Sequence, residues 1–165
     1  VRLNDNLLRR TVEREIRAIM GHELGHYVMN HIGKTMAMLA LVLFVGFASV
    51  QWVLGRLITR FAAATGVSRI DDVAGLPVLV AVFSVFFALA TPVNNSITRI
   101  QEAEADKFGL NLSREPHGFA EGQLRLVEYR KADPGALEEI IFFHHPSTRH
   151  RIHDAMRWRE AMGTP

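Results

Sequence analysis

Ile19-Met20-Gly21-His22-Glu23-Leu24-Gly25-His26 is the stretch on which the fold of this chain turns. Two histidines four apart, with a Glu directly after the first, sit in an otherwise helical run. At about 100° per residue, four positions bring His22 and His26 to within roughly 40° of each other, so both imidazoles can reach one ion from one helix face. Zinc takes neutral imidazole nitrogens well, and a carboxylate at Glu23 is placed to take a proton from water at an open coordination position. The competing account is a helix with two solvated or core histidines, and the rest of the chain decides between the two.

Upstream, Asn4, Asp5 and Asn6 offer N-cap side chains for a first helical unit over residues 3–31. Leu8, Val12, Ile16, Ile19 and Met20 recur at three and four, so an apolar stripe runs into the histidine pair. Gly21 and Gly25 interrupt it. Each costs roughly 1 kcal/mol against Ala in a helix interior, which makes sense where another backbone or a substrate must come close.

Downstream, residues 35–55 carry no charge and would span roughly 30 Å as a helix, the thickness of a bilayer's hydrocarbon core. Trp52 is placed as an interfacial anchor. After a polar connection with Arg56, Arg60, Arg69, Asp71 and Asp72, residues 73–98 are again uncharged, with Pro77 and Pro92 near the ends. Two runs of this length predict a transmembrane hairpin, whose legs start and finish on one side of the membrane. The chain after Thr98 is then delivered beside the His22/His26 helix.

What arrives there is Glu102-Ala103-Glu104-Ala105-Asp106. Glu102 and Asp106 are four apart and share a helix face, whereas Glu104 lies about 200° round from Glu102. Glu102 is expected to bind the metal and Asp106 to orient a ligand histidine through its other ring nitrogen. His31 is the competitor. On a continuous helix it stands about 180° from His22 and points away, and the metzincin pattern would need Gly and His where this chain has Met29 and Ile32. His31 is therefore read as structural or interfacial.

Composition favours a membrane-embedded protein and confines any metal ligands to His, Asp and Glu. Of 165 residues 48% are hydrophobic, and the net charge is only +2, with no basic stripe interleaved with aromatics to engage nucleic acid. Cysteine is absent, so thiolate metal sites and cysteine nucleophiles are excluded. The sequence opens at Val1 without a signal-peptide pattern, which is what the C-terminal part of a longer membrane protein would look like.

His22-Glu23-Leu24-Gly25-His26 followed by Asn30-His31, two hydrophobic spans, Glu102 to Asp106 with Phe108, and later His145-Pro146-Ser147-Thr148-Arg149-His150-Arg151-Ile152, resembles the CAAX prenyl protease type I family of integral-membrane zinc metallopeptidases. These are gluzincins. The resemblance runs from about Thr11 to Ile152, and it implies that Arg151 and His145 line the site. A His or Arg near the zinc can stabilise an oxyanion, and Arg151 can equally serve as partner to Asp106 or another carboxylate. The substrate classes it leaves open are prenylated C-terminal tails and damaged membrane proteins.

The remaining third is soluble in character. Ser113, Glu115 and Pro116 mark a helix start, with Phe119, Leu124, Leu126 and Val127 as its apolar positions up to Lys131. Asp133-Pro134-Gly135 is a turn, a short helix runs through Ile141, and Phe142 to Pro146 is extended. Ser147 caps a last helix to about Met162. His150 and His153 could share a face there, but no acidic spacing accompanies them to make a second metal site.

These readings converge on a mainly α, integral-membrane helical zincin in a single catalytic domain, with the hairpin of residues 35–98 inserted between metal-binding segments 1–34 and 99–165. The expected function is a zinc-dependent membrane metalloendopeptidase with one Zn2+ per chain held by His22, His26 and Glu102, Glu23 as general base, and Asp106, His145 and Arg151 in support. Its expected partners are a peptide or protein substrate and the lipid bilayer. The alternative is a non-catalytic membrane protein with a structural or regulatory metal site. Lys and Arg total 19, of which Arg56, Arg60 and Arg69 alone lie in the connecting loop, so the catalytic side is expected in the cytoplasm, with a bacterial inner membrane as the location.

Overall fold

A computed structural model describes residues 5–127 and 131–163. The expected cap at Asn4 and the expected helix continuation over residues 128–130 lie outside the described residues, as does the side chain of Leu126. The described chain is all helix and turn: α1 Asp5–Arg10, α2 Glu13–Val28, α3 His31–Thr65, a 3-10 turn Val73–Gly75, α4 Leu76–Ser113, α5 Pro116–Leu126, α6 Ala136–Phe142 and α7 Thr148–Met162. No strand occurs among the described residues.

The chain forms two compact units. One gathers the segments up to Gly33 and from Asn94 onward, and the other is Lys34–Val93. Within the second, α3 and the start of α4 run antiparallel, since Phe47 meets Phe83 at 6.1 Å between ring centroids while Leu54 and Ile58 cluster with Val67, Val78 and Leu79. Gly46 lets the pair close, because a Cβ there would come 2.7 Å from the Phe86 ring. α3 and α4 are each long and apolar enough to cross a membrane. Leu41, Phe44, Phe47, Val85 and Leu89 stand exposed along them, the outward apolar surface expected of lipid-facing helices. Arg56 lies over the Trp52 ring at 4.3 Å, and Asp72 caps the 3-10 turn by accepting from the Ala74 amide.

In the first unit, α5 packs on α2 and α7 around Ala18, Leu110, Phe119 and Ala155. α2 differs from its expected packing. Leu8, in α1, and Val12, at the N-cap of α2, are exposed, and the buried face of α2 is Glu15, Ala18, Gly21 and Gly25. Small residues face inward because backbones meet there: a Cβ on Gly25 would lie 3.0 Å from Ala105 Cα, and one on Gly21 would lie 2.9 Å from the Gly109 carbonyl oxygen. Glu15, fully buried, accepts from the Val12 amide at 3.0 Å to start the helix and from Arg125 at 2.9 Å to tie α5 to α2.

Helix boundaries also depart from expectation, and α3 runs on through Arg56 and Arg60 of the expected connection to Thr65. The unit expected over residues 3–31 is broken before Glu13 and again at Met29–Asn30, where Asn30 adopts a left-handed φ of 53°. Conversely, α4 runs uninterrupted from Leu76 through Pro92 to Ser113, so the expected second span and the Glu102 segment are one helix. α7 starts on Ser147, which accepts from the His150 amide, and ends at Gly163 in a left-handed conformation.

Candidate metal centre

The glycine seam sets α2 against the C-terminal half of α4, and one turn of each carries the chemistry. His22 and His26 present Nε2 atoms 3.0 Å apart. Glu102 completes a triangle, with Oε2 3.5 Å from His22 Nε2 and Oε1 3.4 Å from His26 Nε2. Among the described residues these three offer ligand atoms that all lie within 4.8 Å of one another.

The proton inventory explains why a cation fits. His22 Nδ1 lies 2.7 Å from Asp106 Oδ1, an acceptor, and the neutral tautomer that donates there leaves Nε2 bare. His26 Nδ1 lies 2.9 Å from His31 Nδ1, and His31 Nε2 lies 3.2 Å from Glu104 Oε2. With the His31 proton on Nε2 toward that carboxylate, His26 donates from Nδ1 and its Nε2 is bare too. Glu102 Oε2 is buried without a hydrogen-bond partner. Three acceptors therefore converge with no donor among them, at separations close to the ~3.3 Å edge of a tetrahedron with zinc-like bonds of about 2.0–2.1 Å.

Electrostatics points the same way. Burial, reinforced by His22 and His31, holds His26 below the ordinary imidazole range and favours its neutral, ligating form. Burial raises the Glu102 carboxyl, partly offset by His22 and Arg151. Burial would also raise Asp106, but hydrogen bonds from His22 and Arg151 outweigh it and keep the group below its usual value.

Glu23 is exposed and lines a cleft of about 460 Å³ with His22, Glu102, Phe119, His145 and Arg151. His145 Nε2 stands 3.5 Å from Glu102 Oε1. Arg151 grips Asp106 with two nitrogens, at 2.7 and 2.5 Å, and lies 3.7 Å from Glu102 Oε2. Of its two expected roles, the geometry shows the partnership with Asp106. Of the seven expected site residues, His22, Glu23, Glu102, His145 and Arg151 line this cleft, and His26 and Asp106 touch His22.

His31 and Glu104 were not expected there. The helix break at Asn30 turns His31, 2% exposed, back against His26, and the signal was a residue type that tolerates the left-handed region. His150 and His153 are exposed and share Asp154, at 3.2 and 3.8 Å, as an acidic neighbour.

The sequence profile described as "Peptidase family M48" matches residues 1–159. The chain is also 33% identical over 159 residues to "Uncharacterized metalloprotease YhfN" of Bacillus subtilis (strain 168), covering 95% of this chain and 37% of that protein. It spans little more than a third of the relative's length.

Proposed function

Because the chain belongs to peptidase family M48, we propose that it is a zinc-dependent membrane metalloendopeptidase whose ion is held by His22 Nε2, His26 Nε2 and the Glu102 carboxylate. The observation that carries this reading is the convergence of three acceptors without a donor beside the exposed carboxylate of Glu23. Bound zinc supplies a Lewis acid that polarises a peptide carbonyl and acidifies water. Glu23 takes the proton of the attacking water and passes it to the leaving nitrogen. Asp106 fixes His22 in the tautomer that leaves Nε2 free, and Arg151 holds Asp106 in place. His145, in the same cleft, donates to the oxyanion that forms on the carbonyl.

The apolar parts of α3 and α4 cross the bilayer as an antiparallel pair, which favours membrane-associated substrates. Prenylated C-terminal tails and damaged membrane proteins are the two classes that fit. The sparse Lys and Arg between the two apolar runs, Arg56 and Arg60 near the end of α3 and Arg69 beyond it, support a cytoplasmic catalytic side in a bacterial inner membrane.

The test is casein or peptide cleavage with metal analysis on the full-length protein. Glu23→Gln should keep stoichiometric zinc and lose about 10²- to 10⁴-fold in rate. Cleavage by that variant at the parent rate overturns the role of Glu23, and a zinc-loaded parent that cleaves nothing favours the non-catalytic alternative.

A further inference from the structure

We propose that His31 and Glu104 form a positioning relay that fixes the tautomer and ring angle of His26; this rests on His22, His26 and Glu102 being a metal centre. His31 is almost wholly buried, with each ring nitrogen engaged: Nδ1 lies 2.9 Å from His26 Nδ1 and Nε2 lies 3.2 Å from Glu104 Oε2, so a proton on Nε2 leaves Nδ1 to accept from His26. The His26 and His31 rings meet edge to face, 4.9 Å between centroids and 76° between planes, so His31 packs against the ring it orients.

The arrangement depends on the helix break. Met29 closes α2, Asn30 turns left-handed, and its side-chain oxygen accepts from the Gly33 amide at 3.3 Å as α3 begins. On an unbroken helix His31 would stand about 180° from His22. Glu104, on the face of α4 turned away from Glu102, is thereby given a partner.

The two histidines are held differently. His22 donates to an anion, Asp106, whose charge Arg151 matches. His26 donates to a neutral ring, backed by a carboxylate that is 46% exposed. A neutral acceptor raises the basicity of a ligand less than an anionic one does, so the relay acts chiefly on orientation.

The experiment measures zinc affinity of the full-length protein in detergent by competition with a chromogenic chelator, and the absorption spectrum of the cobalt(II) form. His31→Leu should lose about 10- to 100-fold in zinc affinity and change the cobalt spectrum. His31→Asn, whose oxygen takes roughly the place of Nδ1, should recover most of both. Unchanged affinity and spectrum in His31→Leu overturn the relay and leave the metal centre standing; a wild type that binds no zinc overturns the metal centre itself. Where His31→Leu does not fold, Glu104→Leu at its half-exposed position carries the test. A weaker, spectrally shifted site supports the relay, and an unaltered one overturns it.

Discussion

Gly109 stands so close to His22 that a Cβ built on it would lie 2.7 Å from the His22 amide nitrogen and 3.0 Å from its Cα. The atoms in the way are helix backbone and cannot rotate aside. Gly109→Ala gains about 1 kcal/mol of helix propensity but must part α2 from α4, and overpacking of this kind costs about 1–3 kcal/mol. The cost wins because no flexible side chain is there to absorb it. We expect a lower Tm and weaker zinc binding, since Glu102 moves with α4 while His22 and His26 move with α2. Thermal unfolding and chelator competition on the same samples measure both, and an Ala variant with wild-type values would mean that the seam does not set the spacing.

Arg151→Met should be more damaging. Arg151 and Asp106 are about 10% and 11% exposed, so removing the guanidinium leaves a buried carboxylate held by His22 alone. Losing one partner of a buried pair typically costs about 3–5 kcal/mol. Chemical unfolding of Arg151→Met against the double variant Arg151→Met/Asp106→Leu checks the cause: stability should partly return when the unmatched charge goes too. No recovery would mean that Arg151 contributes through packing, for instance over the Phe119 ring at 5.6 Å.

How much of this could be read beforehand follows from what each feature depends on. His22, His26, Glu102 and Asp106 lie on regular helix, where residue spacing alone gives the face, and the metal triangle could be anticipated from it. The glycines were legible through their cost: Gly21 and Gly25 required a close backbone, and Ala105 and Gly109 supply it. His31 was misplaced because a single left-handed residue, Asn30, resets the helical phase. The inward face of α2 does not follow apolar size, because close helix contact selects small residues such as Ala18, Gly21 and Gly25, while the larger Leu8 and Val12 precede the helix and stand exposed.

Metal removal should loosen the link between α2 and α4. Without a cation, three acceptors face one another and the buried Glu102 Oε2 has no hydrogen-bond partner. An ion held at about 100 times its dissociation constant adds roughly 2.7 kcal/mol to folded-state stability. Treatment with a chelator should lower Tm, and zinc should restore it. Magnesium should not, because it prefers oxygen ligands in octahedral geometry. A Tm indifferent to chelator would argue against any tightly bound ion at this site.

Arg99 fixes the position of the segment that carries His145. From α4, one turn before Glu102, its Nη1 donates to the carbonyls of Glu139 at 2.8 Å and Phe143 at 2.5 Å, and its Nη2 to Ser96 Oγ at 2.7 Å. The guanidinium thus caps the C-terminus of α6, where unpaired carbonyls favour a cation. Two residues beyond Phe143 comes His145, 3.5 Å from Glu102. Hydrogen bonds to a charged group contribute about 1.5–3 kcal/mol each, so Arg99→Ala should free this segment without touching a metal ligand. We expect kcat/KM to fall while zinc affinity stays at the wild-type value. Arg99→Lys should recover part of the loss, since an ammonium can stand in for Nη1 at the carbonyls but cannot also supply the Nη2 bond to Ser96. Steady-state kinetics with parallel zinc titration separates the effects: wild-type kcat/KM in Arg99→Ala would show that α6 keeps the segment in place unaided.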